Sequence, residues 1–331
     1  MHKLPPLKLD VVVESWPIAG TFTIARGSRT EAVVVVATVT DGRFSGRGEC
    51  VPYKRYGESV ETVMSDISSQ ALLLARGGCH DVLTAGLKAG AARNALDCAV
   101  WDYLAKSTGE PVWRMAGTSE PRPVVTCYTL SLGEPEAMEA AARAAAHRPI
   151  LKVKLGTSDD TARIAAVRRG APDAILVVDA NEGWSASTIS AEIAACHQAG
   201  VKLIEQPMPA GEDAFLEGYV SPILICADES VHDRETLPQV ARRYGAVNIK
   251  LDKTGGLTEA LEMRRHAENL GLKVMVGCMV GTSLAMAPAL LIAAGAAYVD
   301  LDGPLLLARD RDPCLNFEGS IIHPATAELW G

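Results

Sequence analysis

From about residue 124 the chain alternates between two patterns. Apolar, β-branched runs read as strands: VVTCYTLS, ILKVKLG, AILVVDANEG, VKLIEQP, ILICADES, AVNIKLDK, LKVMVGCM and AYVDLDG. Between most of them lie stretches rich in Ala, Glu and Arg with helical spacing, such as EPEAMEAAARAAAH, TARIAAVRR and GLTEALEMRRHAENLG. The runs start near Val125, Leu151, Leu176, Lys202, Leu224, Val247, Lys273 and Tyr298, at intervals of 26, 25, 26, 22, 23, 26 and 25 residues. Strand alternating with helix at near-constant spacing implies parallel βαβ units. Eight strands and seven intervening helices predict a closed (β/α)7β barrel, a modified TIM barrel, over residues 121–305. A doubly wound open sheet is the alternative, but it rarely repeats so evenly.

Residues 1–120 follow a different pattern. LKLDVVVESWPI and EAVVVVATVTDGRFSGRGECVPY alternate as antiparallel strands, with a turn signal at Asp41-Gly42. ESVETVMSDISSQALLLARGG and GAARNALDCAVWDYLAKSTG carry helical periodicity. The first region is therefore expected to be a small α+β domain capping the barrel, joined by a tail of about residues 306–331 that packs back onto it.

Composition narrows the function. The 331-residue chain is 48% hydrophobic with a net charge of −8 and no basic run, which argues against a nucleic-acid partner. No apolar stretch is long enough to span a membrane, and the first residues lack the apolar core of a signal peptide. None of the eight cysteines forms a CxxC pair, so free thiols in a reducing cytoplasm are expected.

In a parallel barrel the chemistry sits at the C-terminal ends of the strands. Here nearly every strand ends in something chemical. LKVKLG places Lys152 and Lys154 on one face of strand two. Strand three ends in Asp179 and Asn181, strand four in Glu205, strand five in Asp228 and Glu229, and strand six in Lys250, Asp252 and Lys253. One strand-end acid is commonly a cap or an ion pair. Three on consecutive strands, Asp179, Glu205 and Asp228, call for a cation, and oxygen-only ligands suit Mg2+. Lys154 and Lys250 come from strands that face each other across a closed ring. A lysine becomes a base only where a neighbouring cation and burial lower its pKa, which Lys152 and a metal supply. Mg2+ on a substrate carboxylate, a lysine on the adjacent C–H and a stabilised enediolate form one reaction scheme. Two facing bases suggest inversion of a stereocentre, although a dehydratase or cycloisomerase needs only one. A Schiff-base aldolase using either lysine, or a barrel that binds small amino compounds without turnover, remains open on residues alone. At the end of strand eight, VDLDG sets Asp300 and Asp302 side by side, a pair that wants a positive partner.

These motifs resemble the enolase superfamily in its muconate-lactonizing subgroup. The similarity rests on the KxK of LKVKLG, the acids of VVDAN, IEQP and ADES, and the lysine of NIKLDKTGG, and it covers essentially the whole chain. DLDGP looks like the signature of dipeptide epimerases. ARGSRTEAVVVV, GECVPYKRYGES, AGAARNALDCAVWD and NIKLDKTGGLTEAL look like the branch acting on L-Ala-Glu dipeptides of murein peptide breakdown. The resemblance implies one Mg2+ per subunit on Asp179, Glu205 and Asp228. It implies Lys154 and Lys250 as the two acid/base catalysts, tuned by Lys152, and Asp300 and Asp302 as the site for the dipeptide ammonium. Arg26 is the choice for the substrate's side-chain carboxylate, with Tyr53 beside it, since a guanidinium can grip a carboxylate with two bonds. Superfamily barrels often assemble, so a homo-oligomer is possible. N-succinylamino-acid racemase and o-succinylbenzoate synthase use related residues, but their substrates lack the ammonium that Asp300 and Asp302 would hold.

Overall fold

In the computed structural model, which describes residues 3–80 and 86–331, eight parallel strands run in sequence order around a ring. They are Tyr128–Leu130, Ile150–Lys154, Ile175–Asp179, Leu203–Glu205, Leu224–Ala227, Ala246–Lys250, Lys273–Gly277 and Tyr298–Asp300, called here barrel strands one to eight. The first and last meet without a ladder. Cys127 N donates to Val299 O at 2.8 Å, Leu301 N to Thr126 Oγ1 at 2.9 Å, and Thr129 N to Asp302 Oδ2 at 2.6 Å.

Helices wrap the outside, including Pro135–Ala144, Asp160–Gly170, Ile189–Gln198 and Leu257–Asn269. The two short intervals of the sequence mark the two weakest crossovers. Strands four and five are joined by a single 3-10 turn, Asp213–Leu216, and strands five and six by the four-residue helix Leu237–Val240. Inside the ring, Cys127, Val177, Leu203, Cys226, Ala246 and Met275 form a closed apolar layer.

The first barrel run divides in two. Val124–Val125 leaves the barrel and pairs antiparallel with Ile321–Ile322, which pairs with Phe317–Glu318. The tail thus builds a small sheet next to the start of strand one, where Thr126 N donates to Ser320 O at 2.8 Å.

In the first region Lys8–Ile24, Gly27–Thr40 and Ser45–Cys50 form an antiparallel sheet. Its turn at Asp41-Gly42 is held by Asp41 Oδ1, which accepts from Arg43 N and Phe44 N at 2.7 and 2.8 Å. The helix Ala91–Thr108 lies against this sheet and is buried over most of its length. Gly46 and Gly48 permit the approach: a Cβ there would sit 2.1 Å from Tyr103 N and from Ala95 O. The same helix holds the barrel, with Trp101 Nε1 donating to Thr258 Oγ1 and Thr258 N donating to Asp97 Oδ2, both at 2.9 Å. The tail returns to this region: Trp330 Nε1 donates to Cys98 O at 3.0 Å, and Arg311 pairs with Glu14 and Glu49 at 2.6 and 2.7 Å. Among the described residues, no helix is long and apolar enough to cross a membrane.

Candidate active site

A period of two sets the site. Two residues beyond the apolar layer, the same strands turn Ile150 into Lys152, Val177 into Asp179, Leu203 into Glu205, Cys226 into Asp228, Ala246 into Asn248 and Tyr298 into Asp300. Asp179 and Glu205 are direct cross-strand partners. Asp228 stands two residues past Cys226, which pairs with Glu205. All these polar groups are buried.

Lysines and acids interlock. Lys152 Nζ lies 2.6 Å from both Asp300 Oδ2 and Glu205 Oε2. Lys154 Nζ meets Asp179 Oδ2 at 2.6 Å, and Lys250 Nζ meets Asp228 Oδ2 at 2.7 Å. Asn248 Nδ2 donates to Glu205 Oε1 at 2.7 Å, with room made by Gly277, where a Cβ would strike the Asn248 amide at 2.6 Å. Burial is the largest influence on Asp179 and would raise its pKa, but Lys154 and Lys152 outweigh it and hold the carboxyl down at about 2. Asp228 is held low in the same way by Lys250 and Lys253. Burial and the neighbouring Asp179 leave Glu205 raised. Burial would lower the Lys250 ammonium; Asp228 and Glu205 overcome that and raise it.

A cavity of about 370 Å³ opens above these groups, between the barrel mouth and the first region. Lys154, Lys250 and Asp228 line its floor, and Arg26, Tyr53 and Tyr56 line its wall. Strands two and six stand half a ring apart, so the two lysines enter from opposite sides. Lys152, Asp179, Glu205, Asp300 and Asp302 do not contribute to the lining; they form the layer around the two lysines. Asp300 ends its strand, whereas Asp302 caps the 3-10 turn Gly303–Leu306 and accepts from Thr129 N. Burial and Asp300 push Asp302 up to about 7. Asp300 Oδ1 is buried with no hydrogen-bond partner.

Arg26 is already engaged. It donates to Asn181 O at 3.1 Å, Glu182 Oε2 at 3.2 Å, Tyr53 Oη at 3.1 Å and Glu229 Oε1 at 2.7 Å. Arg55 grips Glu182 with two bonds, at 2.8 and 2.7 Å. These bonds hold the loops of the first region down on the barrel mouth. Arg29 stacks over Tyr53, and neither Arg29 nor Lys54 forms an ion pair among the described residues, although both line the cavity.

Three residues with side chains sit in the left-handed region here, Asn181, Glu182 and Gln206 (φ 45, 68 and 33°). Such strain gathers at functional sites.

Sequence reasoning places Glu229 and Lys253 at strand ends without giving them a role, and it did not select Glu182 or Asn248. Lys253 Nζ donates to Asp228 O and Asp228 Oδ1, at 2.6 and 2.5 Å. Asn248 was findable, since it shares a strand face with Lys250. Glu182 was not, because it lies in a loop and its partners come from residues 26 and 55.

The donor chemistry fits a hard divalent cation: three buried carboxylates on adjacent strands, close enough to raise one another's pKa. Among the described residues no three acid, His or Cys side chains are gathered as a finished metal cage, because each acid is turned to a lysine. Asn181 Oδ1 and Asn248 Oδ1 are buried without donors, while Glu205 Oε2 is paired with Lys152 Nζ at 2.6 Å. A cation there would compete with the lysines for the carboxylates. It would also free Lys250 from the acids that now keep it protonated.

Residues 7–117 match the N-terminal domain model of mandelate racemase / muconate lactonizing enzyme, and residues 136–307 match the enolase C-terminal domain-like model. The chain belongs to this enolase-like family. Within it, the chain is 44% identical over 317 residues to L-Ala-D/L-Glu epimerase of Escherichia coli K12, covering 95% of this chain and 99% of that one. It is also 44% identical over 302 residues to N-acetyl-D-glutamate racemase of a Pseudoalteromonas species, covering 90% and 95%. Among solved structures, an enolase family member from Agrobacterium tumefaciens with homology to dipeptide epimerases superposes with a TM-score of 0.97 at 53% identity, over 98% of this chain and 100% of that one. That structure holds sodium and L-Ala-L-Glu with an ordered loop. The dipeptide epimerase of Cytophaga hutchinsonii, complexed with Mg and D-Ala-L-Val, gives 0.89 at 26% identity over 96% and 93%. Relatives named as an epimerase and a racemase thus align over nearly the whole chain, through both matched domains.

Proposed function

We propose that this enzyme is a Mg2+-dependent epimerase of L-Ala-D/L-Glu dipeptides, inverting the α-carbon of the C-terminal residue with two lysine bases. The observation that carries this reading is the placement of Lys154 and Lys250 on opposite sides of one cavity floor, with the carboxylate cluster between them.

Asp179, Glu205 and Asp228 would hold one Mg2+ per subunit, which would supply positive charge to stabilise the substrate carboxylate. Lys154 or Lys250, whichever is deprotonated, takes the α-proton, and the ammonium of the other returns one to the opposite face. The net result is inversion at carbon. Lys152, locked between Asp300 and Glu205, keeps a fixed positive charge beside the Asp179 carboxylate that Lys154 also meets. Asp300 and Asp302 receive the dipeptide ammonium, supported by the undonated Asp300 Oδ1. Arg26 and Tyr53 close the loop over the substrate, while Arg29 and Lys54 carry the positive charge that meets the glutamyl carboxylate. Such dipeptides arise from murein peptides. Eight unpaired cysteines support a cytoplasmic setting.

The relative that racemises an N-acetylated glutamate supports a second reading on the same scaffold, and the free ammonium discriminates them. Proton NMR in D2O with Mg2+ tests both. Loss of the glutamyl α-proton signal from L-Ala-L-Glu, with appearance of the L,D diastereomer, is the expected result. Exchange confined to N-acetyl-L-glutamate moves the enzyme to the acylamino-acid branch. Silence with both substrates and with a dipeptide library overturns the reading.

A further inference from the structure

The cavity has walls from two domains that must stay in register. The first region supplies Val51 and Tyr53 to Tyr56, and the barrel supplies Lys250 and the loop Cys278–Val280. Two buried carboxylates outside the reacting cluster join these walls reciprocally. Asp252 lies two residues after Lys250; its Oδ1 accepts from Val51 N at 3.1 Å, across the domain boundary. Glu49 lies two residues before Val51; its Oε1 accepts from Thr282 N at 2.8 Å, two residues after Val280. Each domain thus sends one carboxylate to a backbone N–H at the other domain's wall.

Both acids are secured behind. Asn94 Nδ2, on the long helix, donates to Asp252 Oδ1 at 2.8 Å and to Glu49 O at 3.3 Å, so one amide touches both pins. Arg311 from the tail donates to Glu49 Oε2 through Nε and Nη2, at 3.0 and 2.7 Å, and Thr282 Oγ1 donates to the same oxygen. Neither carboxylate lines the cavity. Burial raises the pKa of each, a cost that surface loops do not carry.

We infer that Asp252 and Glu49 are positioning residues, a reciprocal pair of pins that set the substrate-facing wall 51–56 against Lys250 and the loop 278–280. The kinetic consequence rests on the epimerase reading; the pinning itself does not. Removing a pin lets the wall drift while the carboxylate cluster and its lysines stay in place.

The test uses Asp252→Ala and the conservative variant Asp252→Asn in the full chain with Mg2+. Asp252→Ala removes the oxygen that accepts from both Val51 N and Asn94 Nδ2. Asp252→Asn keeps an amide oxygen in that place, able to accept from both without the charge. Hydrogen exchange at the Val51 amide is expected to speed up about tenfold in Asp252→Ala and to stay near the wild-type rate in Asp252→Asn. KM for L-Ala-L-Glu is expected to rise about tenfold in Asp252→Ala, more than kcat changes, with Mg2+ affinity by calorimetry unchanged and KM held near the wild-type value in Asp252→Asn. Unaltered Val51 exchange in Asp252→Ala overturns the pin. So does a loss of melting temperature with KM intact, or a KM raised as much in Asp252→Asn as in Asp252→Ala. If the wild type turns over neither dipeptide nor N-acetyl-glutamate, the function fails, and the Val51 exchange still decides the pin.

Discussion

The barrel interior holds two layers built by the same strands, two residues apart. The lower one, with Val177, Leu203, Cys226 and Met275, is apolar and sealed. The upper one, with Lys152, Asp179, Glu205 and Asp300, is as deeply buried but charged. Burial alone therefore does not make a core. An unpaired ion in either layer would cost several kcal/mol. The upper layer is tolerable because each charge meets an opposite one within about 3 Å. The lower layer packs apolar side chains on one another, as at Leu203, whose cross-strand partners are Val177 and Leu224. Stability concentrates in the lower layer and chemistry in the upper.

Giving the upper layer an apolar residue breaks this comparison most severely. Lys154→Met or Lys250→Met is expected to lower epimerisation by about 10³- to 10⁴-fold, as loss of an acid/base group does. Deuterium uptake at the α-carbon, followed separately from the L,L and L,D dipeptides, checks it. If the lysines serve opposite faces, each variant loses uptake from one diastereomer more than from the other.

The reverse exchange comes next. Leu203→Asp puts an acid between Val177 and Leu224 without a cross-strand partner and is expected to cost about 3–5 kcal/mol, read as a lowered urea midpoint. A stability loss below about 1 kcal/mol would show that charge is tolerated there as well, and would erase the distinction between the layers.

Asp300→Asn/Asp302→Asn sharpens the comparison, because it removes charge from the upper layer but keeps its shape. Turnover of ammonium-bearing dipeptides is expected to fall about 10- to 100-fold, with Mg2+ affinity changing far less. Unchanged dipeptide turnover would remove the assigned role of the pair.

The smallest effect is expected at Cys226→Ala in the apolar layer. It deletes one soft atom and leaves the charges above in place, so stability should fall by about 1 kcal/mol with kcat unaffected. A large change in kcat would mean that the lower layer sets the geometry of the upper one.

Much of this arrangement was legible in the chain. The two-residue step from Val177 to Asp179, or from Leu203 to Glu205, is a local pattern, and a strand's alternation converts it into one inward-facing stripe. Seven helices between the strands were expected, but strands four and five are joined by only the 3-10 turn Asp213–Leu216, where the interval is shortest. The first run misled in part: its apolar β-branched residues specify a strand but not a partner, and Val124–Val125 pairs with the tail instead of the barrel. Asp302 also departs from simple alternation, since the strand ends at Asp300 and the backbone turns at Gly303-Pro304.

Arg26 shows where sequence reading stops. A guanidinium beside a carboxylate-binding site looks free in a linear chain; in the fold, Glu182 and Glu229 reach it from the ends of two different strands. The chain by itself determined the ring of eight strands and the acids and lysines at their ends, because periodicity and strand-end position are short-range properties. Only the tertiary structure decided which lysine faces which acid, which cations remain for a substrate, and how Asp252 and Glu49 tie one wall to the other. Lys152 and Asp300, 148 positions apart, meet only because the ring closes, and Asp252–Val51 and Glu49–Thr282, 201 and 233 positions apart, meet only because the two regions pack together; no local pattern encodes either.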